Sequence, residues 1–473
     1  MSDKALWTPE EVRAATGGSF SRAQDVPAIG VSIDSRSLEP GDIFFAIAGP
    51  SHDGHDFVAP ALERGAAFAV IARTAAPRLG EGAFLLVDDP LAALAALGRA
   101  ARARTSALIV AVTGSVGKTT TKEALRIALA ASAPTHASVA SYNNHWGVPL
   151  SLARMPRRTV YGVFEIGMNH AGEITPLTAL VRPHVAIVTA IAESHLGHFT
   201  GLADIADAKA EIFGGVEPGG AALINGETPF YERLEQVARR ERIARVYRFG
   251  AAADADVRLL EGDFAAEHSR IAVSVFGERL VLRIGAPGRH VALNVLAVLG
   301  AVKLCGADLA AAAAALSSLT PGKGRGLRHH LPLAEGVVTV IDESYNANPA
   351  SMRAALALLA RAEIGPGGRR IAVLGDMLEL GEGSNALHRA LAEDMDAAGV
   401  DRIYACGCGM SELVPALSGR IAVLHRPHSA DLVEPLSQAL RAGDVVMVKG
   451  SLGSRMGVVV EALKERLTAA GGR

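Results

Sequence analysis

The sequence predicts an α/β protein with three domains. The chain has 473 residues, and at roughly 150 residues per domain this length favours about three domains over one large core. Short apolar runs alternate with helical patterns over most of the chain, which is typical of parallel sheets covered by helices. Two irregular segments interrupt this alternation and divide it into three parts.

The first part, residues 1–104, is predicted to be a small α/β domain. Thr8-Pro9-Glu10-Glu11 has the pattern of a capping box with proline at the first helical position. The runs IFFAIAG, AAFAVIA and FLLVDD follow, each closed by Gly, Asp or Pro, and we interpret them as strands.

The two breaks define a central domain, 105–320, and a carboxy-terminal domain, 321–473. The basic stretch GRAARARTS precedes the strand ALIVAVT, and TPGKGRG at 320–326 contains too much Gly and Pro to continue a regular element. The central domain is predicted to contain a parallel sheet. Beyond the second break, VVTVID, RRIAVLG, RIYACG, IAVLH and DVVMVKG alternate with helical patterns, which predicts a Rossmann-like, doubly wound sheet.

Charge, hydropathy and cysteine content exclude several classes of protein. Lys and Arg total 47 and Asp and Glu 49, so the net charge of -2 offers no general attraction for nucleic acid. No apolar stretch reaches the roughly 18 to 20 residues of a membrane helix, and the amino terminus lacks a signal-peptide pattern. Cys305, Cys406 and Cys408 are expected to be free thiols. We therefore expect a cytoplasmic monomer without nucleic-acid partner or membrane insertion.

A glycine loop between a strand and a helix is the strongest local signal. ALIVAVT runs into Gly114-Ser115-Val116-Gly117-Lys118-Thr119-Thr120, and the helical pattern KEALRIALAA follows. Inward-facing N–H groups and the helix start would bind phosphate, Lys118 would bridge the terminal phosphates, and Thr119 would bind magnesium. Val112 occupies the place of the first glycine in the usual motif. The loop alone leaves a transporter ATPase, a GTPase, a kinase and a ligase open.

Three further residues are candidates for a cation site. Glu165 ends the strand TVYGVFEIG and is placed either to hold a cation or to pair with a core arginine. His195 and His198 lie three residues apart; they are candidate zinc ligands without nearby cysteines, and His195 is alternatively part of a magnesium shell. Lys209 lies on the helix ADIADAKAEIF, where a lysine usually extends to solvent.

Ordered motifs along nearly the whole chain resemble those of the ATP-dependent Mur ligases of peptidoglycan synthesis. They are TGSVGKTTTKE, YNNHWGVP, FEIGMNHAGEI, SHLGHF with DAKAEI, LNVLAVLGA, PGKGRG, DESYNANPASM, LGDMLELG and VKGS. The resemblance implies an amino-terminal UDP-substrate-binding domain, a central P-loop ATPase domain and a carboxy-terminal domain that closes over the site. It also implies amide-bond formation through an acyl phosphate, with ATP and Mg²⁺.

Within the family, DESYNANP, GDMLELG and VSIDSRSLEPGDIFFAIAG are most similar to the branch that adds D-alanyl-D-alanine to UDP-N-acetylmuramoyl-tripeptide. The Asp-Asn-Pro-Arg signature of the branch that adds diaminopimelate is absent. Whether the third peptide residue is lysine or diaminopimelate stays open. A related amide ligase, such as a polyglutamate enzyme, and a nucleotide-dependent switch without chemistry are the alternatives.

The resemblance assigns the catalytic and nucleotide-side roles residue by residue. Lys118 and Thr119 hold phosphate and the first magnesium, while Glu165 and His195 hold or support the second. Lys209 matches a lysine that is carbamylated in the family and becomes a metal ligand. This role replaces the interpretation that the Lys209 side chain extends to solvent. The resemblance also implies that Asn294 contacts the adenine, with a helix cap as the alternative role for this residue. It implies that Arg325 contacts the terminal phosphate and that Asp342 contacts the ribose.

The resemblance also implies a substrate side. Asn143 and Asn144 are substrate candidates, with an ordinary Asn turn as the alternative. His388 is a weaker candidate, with a surface histidine as the alternative. The predicted UDP patch consists of Asp34, Ser35, Arg36, Asp53, Gly54 and His55. The residues expected at the crevice of the last domain are Tyr345, Asn346, Asn348 and Lys449.

Overall fold

The computed structural model describes residues 5–194, 196–333, 335–417 and 419–470, and the side chains of 469 and 470 lie outside this description. Within these residues, three sheets divide the chain. They lie within residues 19–87, 108–284 and 327–449. The predicted α/β class with three domains is therefore confirmed.

The amino-terminal sheet has five strands in the order β1-β5-β4-β3-β2, of which only the β1–β5 pair is antiparallel. The Thr8 side chain forms the predicted capping box with Glu11 at the start of the first helix. The three predicted apolar runs become the central strands β3, β4 and β5, which explains why their side chains are buried. The elements are α1 Pro9–Thr16, β1 Ser19–Phe20, β2 Gly30–Ser32, β3 Asp42–Phe45, α2 Val58–Glu63, β4 Phe68–Ala72, α3 Ala76–Leu79, β5 Phe84–Val87 and α4 Pro90–Ala103.

The central sheet has nine strands in the order β14-β13-β12-β11-β10-β9-β6-β8-β7. In this order, all neighbouring strands from β12 to β7, with β6 among them, are parallel. Strands β12, β13 and β14 form an antiparallel meander at one edge. The elements are β6 Leu108–Thr113, α5 Lys118–Ala130, β7 Thr135–Ala137, α6 Gly147–Ala153, β8 Tyr161–Glu165, α7 Ile174–Val181, β9 Val185–Val188, α8 Leu202–Ala210, β10 Ala221–Asn225, α9 Tyr231–Arg240, β11 Arg245–Gly250, β12 Val257–Phe264, β13 Ser269–Val275, β14 Glu278–Ile284, α10 Arg289–Leu304 and α11 Leu309–Ala315.

Strand β6 is the switch point of the central sheet. It pairs with β8 on one side and with β9 on the other, so the strands that follow β6 in the chain lie on both sides of it. Ligands of such sheets bind at the carboxyl ends of the strands beside this point. Two apolar cores, one on each face, hold the sheet rigid behind it.

The carboxy-terminal sheet has six strands in the order β15-β16-β20-β17-β18-β19, and only β15 is antiparallel to its neighbour. The five predicted runs form β16 to β20. The elements are β15 Leu327–Leu333, β16 Gly336–Glu343, α12 Pro349–Arg361, β17 Arg370–Gly375, α13 Ser384–Ala397, β18 Arg402–Cys406, α14 Leu413–Leu417, β19 Ala422–Arg426, α15 Val433–Ala439, β20 Val445–Lys449 and α16 Gly457–Ala470.

The central domain contacts both of its neighbours. Helix α4 packs against α6, and the Trp7 indole N–H donates to Ala153 O at 2.8 Å. On the other side, the Gly197 N–H donates to Glu379 O at 2.9 Å, and Arg353 lies 3.8 Å from the Glu193 carboxylate. Within the part of the chain described, no helix is long and apolar enough to cross a membrane.

Candidate active site

The glycine loop lies directly after β6, as the sequence predicts. Gly114 has φ 149° and Gly117 has φ 92°, values that a side chain makes costly. A Cβ at Gly114 would also collide with the Thr189 hydroxyl. The Ser115 N–H donates to Ala190 O at 2.7 Å, which fixes the loop on the neighbouring strand end. Helix α5 begins directly after Gly117, so its free N–H groups and positive dipole end face the loop.

Lys118 folds back over this loop. Its Nζ donates to Gly114 O at 2.6 Å. Burial lowers the pKa of Lys118, the nearby Glu165 carboxylate opposes this shift, and Arg325 adds to it. A lysine held by one carbonyl is placed to exchange that contact for a phosphate oxygen. Thr120 lines the same cleft.

Asn294 lies inside α10 rather than at its start, so the helix-cap alternative is wrong. The residue is 8% exposed. A Cβ at Gly117 would come within 2.7 Å of its Nδ2. The amide therefore lies against the glycine loop, in the wall of the cleft.

Glu165 lies at the end of β8, beside the glycine loop, and is 1% exposed. The Thr119 hydroxyl donates to its Oε2 at 2.8 Å, and Asn143 Nδ2 donates to its Oε1 at 2.7 Å. Both oxygens are thus held by neutral donors, and no described ion pair joins this carboxylate to a core arginine. A hydroxyl and a carboxylate at a phosphate loop are ligands that suit Mg²⁺, which usually takes few protein ligands and completes its shell with water and phosphate.

Lys209 is buried, in contrast to the solvent-exposed interpretation that its helix pattern favours. Its side chain, on α8, is 1% exposed. Burial, together with the positive charge of Lys118, lowers the pKa of Lys209 well below its usual range. The neutral amine is the form that reacts with carbon dioxide, and the product carries a negative charge. His195 lies outside the described residues, and no cluster of three or more His, Cys, Asp or Glu suited to a metal occurs among those described.

Arg325 reaches from the linker before β15 into the cleft of the central domain. Its guanidinium donates to Ser141 Oγ at 2.9 Å, and its Cζ lies 4.1 Å from the centre of the Tyr345 ring. Asp342 is 1% exposed and accepts from the Gly324 N–H at 2.8 Å. This carboxylate therefore holds the turn that carries Arg325, and it does not line the cleft.

The carboxyl ends of β16 and β20 form the opposite wall. Lys449 is 2% exposed, and its Nζ donates to Glu343 Oε2 at 3.1 Å and to Asn346 O at 3.0 Å. Asn348 caps α12 by accepting from the Ser351 N–H at 2.8 Å. As the switch-point rule predicts, the residues that line this wall of the cleft include Tyr345, Asn346, Asn348 and Lys449. Asn348 also caps helix α12.

These walls enclose two adjoining clefts of about 430 Å³ each. The first is polar and contains the glycine loop, Glu165 and Asn143. The second is more apolar and lies between α10 and the interdomain linker, with Ala286, Pro287 and Val291 in its wall. The residues common to both clefts are Thr119, Thr120, Ser141, His290, Arg325, Glu343, Tyr345 and Leu358.

The predicted UDP patch lies in the amino-terminal domain and forms no part of these clefts. Arg36 is exposed and pairs with Asp34 at 2.7 Å. The His55 ring is buried between Asp53 and the Ala72 N–H, which its Nε2 accepts at 3.0 Å. Contacts within the domain, chiefly from His55, hold the pKa of Asp53 at about 2. Ser35 is buried, and Gly54 starts the short helix after Asp53.

Two further substrate candidates, Asn144 and His388, form hydrogen bonds to the backbone of their own domains. Asn144 Oδ1 accepts from the Gly147 N–H at 2.9 Å, so it forms the Asn turn that begins α6, and it does not line the cleft. His388 is fully buried, not at the surface. Its Nε2 accepts from the Met377 N–H at 3.0 Å, so its Nδ1 carries the proton and donates to Ser384 O at 2.8 Å.

Sequence reasoning missed several residues of this region, of which Ser141, His290 and Lys122 have the clearest contacts. Ser141 and His290 line both clefts, and burial lowers the pKa of His290. Lys122 is fully buried on α5 and donates to Ser138 O and Ala140 O. Its spacing of three and seven residues from the apolar positions 125 and 129 was the available signal, because it puts the lysine on the buried helix face.

Models of one protein family match most of the chain. A Mur ligase family catalytic domain matches residues 28–102, a Mur ligase middle domain matches 112–302, and a Mur ligase glutamate ligase domain matches 330–452. The UDP-N-acetylmuramoyl-tripeptide–D-alanyl-D-alanine ligase of Rickettsia prowazekii is 30% identical over 96% of this chain and 99% of its own.

Solved structures agree. A crystal structure of MurF from Acinetobacter baumannii has a TM-score of 0.83 at 30% identity, and the match covers 97% of this chain and 99% of the other. MurF ligase from Thermotoga maritima, in complex with ADP, has a TM-score of 0.76 at 25% identity over 93% of this chain and 98% of its own.

Proposed function

This chain belongs to the Mur ligase family, and we propose that it joins D-alanyl-D-alanine to UDP-N-acetylmuramoyl-tripeptide with cleavage of ATP to ADP and phosphate. Enzymes of this family are ATP-dependent ligases that form amide bonds, and this chain is one of them. The observation that carries the proposal is the convergence, at one cleft, of the glycine loop and Glu165 from the central domain with Arg325 from the linker.

The two clefts divide the nucleotide between them. The N–H groups of the glycine loop and Lys118 would bind the phosphates in the polar cleft, beside Arg325. The apolar cleft next to α10 would take the base, with Asn294 on the same helix in the wall of the polar cleft. The UDP patch of the amino-terminal domain would hold the far end of the precursor through Arg36, which would exchange Asp34 for pyrophosphate.

The substrate's terminal carboxylate needs a leaving group before an amine can displace one of its oxygens. A carboxylate oxygen attacks the terminal phosphorus of ATP, ADP leaves and an acyl phosphate forms. The dipeptide's amino nitrogen then attacks the acyl carbon, phosphate leaves and the nitrogen loses a proton. Lys118 and Arg325 stabilise the charge that spreads over the phosphoryl group, and the wall formed by Tyr345, Asn346 and Lys449 would hold the dipeptide.

Thr119 and Glu165 are the residues that would hold Mg²⁺, and carbamylated Lys209 and His195 would complete or support the site. Bound there, the ion would neutralise charge on the transferred phosphoryl group. The fit rests on a buried carboxylate whose two oxygens are already oriented by Thr119 and Asn143, and on a buried amine with a lowered pKa at position 209. We also propose a cytoplasmic monomer, because the cleft is built from one chain and its substrates are a UDP-linked precursor and ATP.

The proposal is tested by incubating the purified protein with ATP, Mg²⁺, the UDP-linked tripeptide and a panel of amines. Phosphate release that depends on D-alanyl-D-alanine, and a product heavier by that dipeptide less water, would support it. Precursors ending in lysine and in diaminopimelate, compared side by side, would identify the third residue. Release that depends on glutamate instead would indicate a related amide ligase, and tight precursor binding without turnover would indicate a switch.

A further inference from the structure

Ser141 lies where the linker to the carboxy-terminal domain meets the glycine loop. Arg325 donates to its Oγ at 2.9 Å, and the same oxygen lies 3.1 Å from Thr119 Oγ1. The side chain is half-buried and lines both clefts. One hydroxyl therefore touches a residue of each of the two units that must meet around the nucleotide.

The hydrogens of this group can be ordered from its contacts. Thr119 has a single hydroxyl proton, which it donates to Glu165 Oε2 at 2.8 Å. Ser141 must then donate its own proton to Thr119 and accept from Arg325. All three hydrogen bonds run in one direction, from a guanidinium to a carboxylate, and bonds in such a chain polarise and strengthen one another.

The loop that carries Ser141 is held in an unusual backbone conformation. Ala140 has φ 50°, in the left-handed region that non-glycine residues seldom adopt. The Lys122 ammonium donates to Ser138 O at 2.7 Å and to Ala140 O at 2.5 Å. These contacts fix the direction in which Ser141 points.

We propose that Ser141 is a positioning residue that couples the placement of Arg325 to the Thr119–Glu165 pair. The inference rests on the function proposed above and deepens it, because it assigns a residue that links domain closure to the phosphate site. Thr119 Oγ1 keeps a second lone pair for a cation while it accepts from Ser141. Without the Ser141 hydroxyl, the stacking on Tyr345 is the one contact of the Arg325 guanidinium that remains among the described residues, and the side chain loses its orientation towards the loop.

Binding of a non-hydrolysable ATP analogue with Mg²⁺ tests this without requiring turnover. A hydrogen bond to a charged group is worth enough to change an equilibrium roughly tenfold to a hundredfold, so Ser141→Ala should weaken binding about tenfold and lower kcat similarly. Ser141→Thr, which keeps the hydroxyl, should restore most of both. Ser138→Ala is the matched control, since the Ser138 hydroxyl is buried in the same loop and has no hydrogen-bond partner among the residues that the structure describes.

A double-mutant cycle decides whether Ser141 acts through Arg325. In an Arg325→Ala background, Ser141→Ala should change binding of the analogue by no more than about threefold, because the charge-assisted contact with Arg325 is already gone and only the neutral hydrogen bond to Thr119 is lost. The inference would be overturned if the fold-changes in analogue binding caused by Ser141→Ala and Arg325→Ala multiplied in the double variant. It would also be overturned if Ser141→Ala bound the analogue as tightly as Ser138→Ala does. Ser141→Cys serves as a near-isosteric second variant if Ser141→Ala folds poorly. Lack of ligase turnover in the unmodified protein would instead count against the proposed function and leave the binding comparison intact.

Discussion

Replacing Lys122 by Met should loosen the loop at residues 138–147 while leaving the central sheet folded. The Lys122 side chain is fully buried, and its Nζ contacts Ser138 O, Ala140 O and Glu123 Oε1, the last at 2.9 Å. Methionine has a similar length and an apolar stem but no donor. The substitution therefore removes the brace without leaving a large cavity.

The expected loss of loop stability follows from the hydrogen bond that each carbonyl loses when the Lys122 donor is removed. Ser138 is 2% exposed, so its carbonyl is left unpaired in the interior, at a cost of about 1–3 kcal/mol. Ala140 is exposed, and water replaces its lost donor. Removing the buried ammonium recovers part of the cost. A net loss of about 2 kcal/mol corresponds to a roughly 30-fold larger open population of the loop.

Native-state hydrogen exchange with mass detection measures this population directly. Peptides covering 138–147 contain protected amides, such as the Gly147 N–H that donates to Asn144 Oδ1 at 2.9 Å. They should exchange about 30-fold faster in Lys122→Met. Lys303→Met is the control, because its surface pair with Glu278 should contribute little. Unchanged loop exchange in Lys122→Met, with a folded protein, would refute the assignment of Lys122 as a brace.

Three further predictions concern chemistry. Lys118→Ala should lower turnover by about 10² to 10³-fold, because it removes a cation from developing phosphate charge; phosphate-release kinetics measure this. Lys209→Ala should abolish turnover, with partial recovery when a small carboxylate is added to replace the carbamate, measured in the same assay. A maleimide at about pH 8 should label the native protein once, because Cys408 is exposed whereas burial raises the pKa of Cys305 and Cys406 to about 12.

Each of these predictions has a clear contrary result. Near-normal turnover of Lys118→Ala would mean that the lysine does not act on phosphate, and Lys303→Ala provides the control for loss of a surface lysine. Unaided activity of Lys209→Ala would exclude a ligand role for that side chain. Labelling at more than one site, located by peptide mapping, would show that the buried thiols are accessible.

The parts of the fold and site that are local in sequence were predictable. A strand, a glycine loop and a helix are adjacent in the chain, so the pattern around Lys118 predicted β6, its loop and α5. Glu165 could be placed beside that loop because the carboxyl ends of neighbouring parallel strands meet at one edge. The free cysteines followed from the absence of a pairing framework, and the structure confirms them.

The contacts that depend on tertiary packing could not be predicted from patterns. Lys209 lies on an apolar stripe of α8, where a lysine side chain usually extends to solvent, and only the packing of α8 within the central domain shows that it is buried. Asn144 and Asn348 look alike in sequence as polar loop residues, yet one begins α6 away from the cleft and the other caps α12 in its wall. Ser141 gave no signal, because its position depends on the left-handed conformation of the preceding residue.

The most direct test of the central claim is the amount of phosphate released per molecule of product in the presence of D-alanyl-D-alanine. The account predicts one phosphate for each UDP-linked pentapeptide detected by mass, and no release when the dipeptide is omitted. Phosphate release that is indifferent to the dipeptide, or a product that contains glutamate in its place, would contradict it.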